Sequence, residues 1–120
     1  MQKIMIIRHG EKHNLGGPDR GIALDGRHAN HELTVRGWQR AGALVALFAP
    51  SGGMSKDCLI QTPRSIFASD ATKDSPSKRA MHTVAPLADM LGIPVKGAPG
   101  GWTFSQVAQR LLPGDRAHVF

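Results

Sequence analysis

Ile4-Met5-Ile6-Ile7-Arg8-His9-Gly10-Glu11 is the stretch on which the reading of this chain turns. Its apolar half is unbroken and rich in isoleucine rather than alternating, which predicts a strand over residues 3–7 buried on both faces, as strands of parallel sheets are. The run then breaks into a cation, an imidazole and a glycine. A strand end gives Arg8 and His9 a rigid base, Gly10 lets the backbone turn or approach a ligand closely, and catalytic groups favour such strand-to-loop junctions. Phosphoryl chemistry on a histidine is the first function this arrangement suggests.

The segment from Lys12 to His31 is polar and holds five glycines and prolines between Gly16 and Gly26, so it reads as a long loop over the site. Thr34 caps a helix whose apolar face is Trp38, Ala41, Leu44, Val45 and Phe48 and which stops before Pro50-Ser51-Gly52-Gly53. Trp38 and Phe48 are core residues in this reading. Ser65 to Ser69 is a second strand, placing Ser69 and Asp70 at another strand end. Ser75-Pro76 signals a helix start, and Pro86 divides the segment from Pro76 to Leu91 into two short helices, the second opening near Thr83. Gly92 and Pro94 close it, and Ile93 to Val95 is a third strand. Thr103 or Ser105 opens a last helix with Phe104, Val107, Ala108 and Leu111 on one face, and Ala117-His118-Val119-Phe120 begins a further strand. The alternation predicts one α/β domain over residues 1–120, a three-layer sandwich with a mostly parallel central sheet.

With 120 residues, 41% hydrophobic and 20% charged, the chain suits a single soluble globular domain with one core. Its one cysteine, Cys58, has no intrachain partner, and only four apolar residues separate Met1-Gln2-Lys3 from Arg8, too few for a signal-peptide core, so the expected compartment is the cytoplasm. No apolar stretch approaches the roughly 20 residues of a membrane-spanning helix. The net charge of +6 is scattered, with no basic run longer than Lys78-Arg79, and there is no tyrosine for base stacking. These features count against nucleic acid as a partner, leaving a nucleic-acid binder or a mutase as less favoured readings, and the positive field is read as drawing in a small phosphate ester.

Three blocks carry a resemblance. Arg8-His9-Gly10-Glu11 after a strand, Leu33-Thr34-x-x-Gly37 with Arg40-Ala41, and Ser69-Asp70 followed by Ser77-x-Arg79-Ala80-x-x-Thr83 together resemble the histidine phosphatase superfamily, the phosphoglycerate-mutase-like proteins. The blocks stand in family order over roughly residues 3 to 95. The resemblance implies a phosphomonoester hydrolase in which His9 attacks phosphorus and becomes a phosphohistidine, with Arg8 and Arg79 gripping the phosphoryl oxygens and neither metal nor cofactor required. It implies a small phosphorylated substrate, free phosphate or a phosphoprotein as partner. The family's second histidine has no full counterpart: after Val95 only His118 remains, without a following glycine. The fold is accordingly expected to be C-terminally incomplete, with an open sheet edge that favours a homodimer. The same gap makes a catalytically impaired phosphate-binding module the alternative function.

Glu11 has two readings: an acid, base or orienting partner of the pocket, grouped with His9 as catalytic, or a solvated carboxylate paired with Lys12. His13, His28 and His31 follow no standard metal-ligand spacing. His82 and Thr34 are read as packing residue and helix cap.

Overall fold

A computed structural model describes residues 3–14, 17–51, 59–98 and 117–119. In chain order the elements are β1 (Lys3–Met5), α1 (Val35–Phe48), β2 (Ser65–Ser69), α2 (Arg79–Leu91), β3 (Val95–Ala98) and β4 (Ala117–Val119). The strands form one parallel sheet in the order β1-β4-β2-β3, an α/β arrangement in which α1 packs on α2 and α2 lies over β2 and β3.

Helix α1 forms as its sequence dictates. Thr34 sits at the cap in extended conformation and its hydroxyl accepts from the Gly37 amide, supplying one of the donors that a helix start leaves unpaired. Ala41 and Phe48 are buried and Leu44 and Val45 pack beside them. The core runs from Phe48 through Ile66, Ala68, Val84, Leu87 and Ala88, with Met5 and Ile7 of the first strand region against it.

Four expectations change. β1 ends at Met5, and it is not buried on both faces: Met5 and Ile7 turn inward while Ile4 is 37% and Ile6 63% exposed. The strand lies at the edge of the sheet, so its apolar run has a covered face and an open one. Next, α2 begins at Arg79 rather than Pro76, because Ser75 is used elsewhere: its amide and carbonyl close a turn with Thr72. Third, Pro86 does not split α2. The proline denies the His82 carbonyl its donor at a cost of about 3 kcal/mol. Burying Val84 and Leu87, both at most 2% exposed, contributes on the order of 3–6 kcal/mol, which holds the helix together. Last, β3 starts at Val95, not Ile93, since the amides of Gly92 (φ 66°) and Ile93 turn back onto the carbonyls of Asp89 and Ala88 to close the helix.

The segment before α1 is irregular but ordered by its backbone. Ile22 and His28 form one antiparallel bridge, the Ile22 amide donates to Leu33, and the Trp38 indole donates to the Ile22 carbonyl at 2.8 Å. The anticipated helix from Thr103 or Ser105 to Leu111 lies outside the described residues. β4 pairs with β1 on one side and β2 on the other, so the last strand is interior to the sheet and not at its edge.

Candidate functional site

The loop that follows β1 is clamped between the first turns of both helices. The Gly10 amide donates to the Thr83 hydroxyl at 2.8 Å, and that hydroxyl donates its own proton to the Arg79 carbonyl at 2.6 Å. On the other side, Glu11 carbonyl accepts from the Thr34 amide at 3.0 Å and from its hydroxyl at 3.3 Å. Backbone meets backbone here: a Cβ at Gly10 would stand 2.9 Å from the Gly37 carbonyl oxygen, and one at Gly37 would stand 2.8 Å from that of Glu11. Both glycines are thus required by close approach, and Leu33-Thr34-x-x-Gly37 is the surface that seats Gly10-Glu11.

What the clamp fixes is the histidine. His9 Nδ1 lies 2.6 Å from the Gly10 carbonyl oxygen. A carbonyl only accepts, so Nδ1 carries the proton and, in the neutral ring, Nε2 bears the lone pair. The acceptor that orients the imidazole is therefore the backbone of the very next residue, which the sequence alone had left unnamed. His9 and Arg8 line one cavity of about 630 Å³ together with Glu11, Lys12, Arg36 and Arg40, among other residues.

Glu11 pairs with Arg40 and not with Lys12. Arg40 donates from Nε at 2.8 Å and from Nη2 at 2.5 Å, both to Oε1. That hydrogen-bonded guanidinium holds the Glu11 carboxyl below the usual carboxylate range, so at neutral pH it is an anion and an acceptor rather than a proton donor. Its second oxygen, Oε2, is buried without a hydrogen-bond partner.

Arg79 does not line that cavity. It sits in the first turn of α2, tied to Gly10 through Thr83, and is 9% exposed. Its Nη1 reaches only the Asn30 carbonyl at 3.5 Å and the Ser77 hydroxyl at 3.4 Å, and Nε is buried without a partner. Among the described residues no carboxylate forms an ion pair with it. Arg79 thus keeps a donor unused in a buried setting.

Family models, curated proteins and solved structures give no match to this chain. The site therefore stands on its geometry.

Two features escaped the sequence reading. Arg40 had a signal: Arg36 and Arg40 are four apart on one helix face, a like-charge pair that is unfavourable unless a carboxylate joins it. The second is a polar bridge. Glu32, 5% exposed, meets His82 Nδ1 at 2.5 Å, and the His82 ring stacks on Trp38 with centroids 5.1 Å apart. It joins the loop, α1 and α2, a long-range contact with no local pattern. His13, His28 and His31 join no group of three possible metal ligands among the described residues, and no helix described is long and apolar enough to cross a membrane.

Proposed function

We propose that the chain is a metal-independent phosphomonoester hydrolase of the histidine phosphatase superfamily, working through a phosphohistidine at His9. The observation that carries this is the 2.6 Å contact between His9 Nδ1 and the Gly10 carbonyl, which leaves Nε2 as the free nucleophilic nitrogen beside Arg8 in the cavity. Nε2 attacks phosphorus, the ester P–O bond breaks, and the departing oxygen takes a proton from solvent water, Glu11 being ionised. Water then attacks the phosphohistidine, the P–N bond breaks, and His9 returns to its neutral form as phosphate leaves. Arg8, which lines the cavity beside His9, is the guanidinium fork for the phosphoryl oxygens, whose charge must be held while attacking and leaving groups stay in line; Arg79, the second fork that the resemblance implies, does not line that cavity. Glu11, held as an anion by Arg40, serves as an orienting partner of the pocket.

The finer architecture belongs to the same proposal: a phosphoglycerate-mutase-like three-layer sandwich. In support, Phe67 faces away from Ile66 and Ala68 on β2 yet is only 8% exposed, so that strand is covered on both faces. A cytoplasmic setting fits the single cysteine.

Rapid-quench mixing with p-nitrophenyl phosphate tests the intermediate. The expected result is a p-nitrophenol burst matched by one acid-labile, alkali-stable phosphoryl group on the peptide holding His9; phosphate found on another residue overturns the assignment. A second reading, a phosphate-binding module without turnover, is favoured by the ionised state of Glu11, which removes it as donor to the leaving oxygen. A missing general acid costs about 10² to 10⁴ in rate. Turnover should consequently be confined to esters with acidic leaving groups, p-nitrophenyl phosphate well above alkyl phosphates, whereas the binding module turns over neither.

A further inference from the structure

Glu32, Trp38 and His82 lie outside the lining of the cavity at His9, yet they meet at one point. His82 Nδ1 donates to the Glu32 carboxylate at 2.5 Å, and its ring stacks on Trp38, whose indole donates to the Ile22 carbonyl at 2.8 Å. The Glu32 and His82 side chains are only 7% and 21% exposed, so the pair is made largely out of water. A pair so placed returns little stability once its desolvation is counted; what it fixes is an arrangement.

Each of the three stands one residue from a group that bears on the histidine loop. Leu33 follows Glu32, and its Cδ2 lies 3.1 Å from where a Gly10 Cβ would stand. Gly37 precedes Trp38 and lies against the Glu11 backbone. Thr83 follows His82 and accepts from the Gly10 amide. Segments far apart in the chain are thus fastened together beside the residues that seat Gly10 and Glu11. We infer that Glu32 and His82 are positioning residues: their bond keeps Leu33 and Thr83 seated on Gly10, whose carbonyl holds His9 in the Nδ1–H form and leaves Nε2 free. Its effect on rate rests on the reading of His9 as the phosphoryl acceptor; its effect on geometry does not.

Nitrogen NMR of the imidazoles at mildly alkaline pH and hydrogen exchange of the Gly10 amide test the geometry without turnover. Glu32→Gln keeps the shape but puts a weaker neutral bond in place of a charge-assisted one, and Glu32→Gln combined with His82→Phe keeps a ring on Trp38 while removing the bond. In that order the Nδ1–H form of His9 should give way to a mixture of tautomers. Gly10 exchange should quicken, by about tenfold in the double variant, as for the loss of one hydrogen bond, while Leu87 and Ala88 in α2 hold their rates. The p-nitrophenol burst should slow about tenfold with it. A Gly10 amide and His9 ring unchanged in the double variant overturn the inference, and so does quickening shared equally by Leu87 and Ala88, which marks a merely structural pair. If circular dichroism shows the double variant unfolded, Glu32→Gln decides by the same comparison of Gly10 with Leu87. A burst that does not depend on His9, with the amide and tautomer changes present, fails the hydrolase reading and leaves the positioning intact.

Discussion

Gly37 and Gly42 lie on the same helix and predict opposite outcomes. An alanine Cβ at Gly42 meets nothing within 4 Å, so Gly42→Ala should raise stability by about 0.5–1 kcal/mol through helix propensity. At Gly37 the same methyl meets the carbonyl oxygen and amide nitrogen of Glu11 at 2.8 and 3.0 Å. Backbone cannot rotate aside, so Gly37→Ala should cost about 1–3 kcal/mol despite that propensity gain. Urea denaturation of the two variants decides it, and equal shifts contradict the clamp. Glu11 gives a pH test. Its folded-state pKa is depressed, chiefly by the Arg40 hydrogen bond, so its contribution to stability is present above the unfolded value and is lost as pH falls through the folded one. Arg40→Gln should raise the Glu11 titration midpoint, read by carboxyl NMR; an unmoved midpoint removes Arg40 as the cause. At this scale the resemblance singled out Arg8, His9 and Arg79, but not the Gly10 carbonyl, whose direction depends on how the loop turns, nor the pairing of Glu11 with Arg40, a contact made only once α1 folds back on the loop.

At the scale of elements, Thr83 is what ties α2 to the histidine loop. Thr83→Val keeps the volume and removes the oxygen, leaving the buried Gly10 amide unpaired, and should cost about 1–3 kcal/mol by thermal denaturation. His9 loses its fixed position with it, so kcat/KM should fall by about tenfold or more. Stability lost with kcat/KM intact would show that the clamp is structural only. The start of helix α1 and both ends of strand β2 were legible because cap, periodicity and turn signals agreed there. Helix α2 was not: Pro86 is a local breaker whose cost is offset by burial of Val84 and Leu87, and no local pattern states how deeply a residue will be buried.

For the whole molecule, the parallel α/β arrangement followed from alternating apolar runs and helical periods, whereas the one-sided covering of β1 did not, since strand order is a long-range property. Arg79, whose Nε is buried without a partner, gives the proposed phosphate binding a thermal test. Inorganic phosphate should raise the melting temperature with concentration, equivalent to about 2.7 kcal/mol at a hundredfold excess over Kd, while chloride at equal ionic strength does not. Arg79→Lys, which loses the two-pronged grip, should shrink that response; an undiminished one places the anion elsewhere. The most direct measurement of the central claim is steady-state hydrolysis of p-nitrophenyl phosphate by the protein and by His9→Ala, purified in parallel and matched by circular dichroism. The account predicts turnover that disappears with the imidazole while the fold stays. Equal turnover in the two proteins contradicts it.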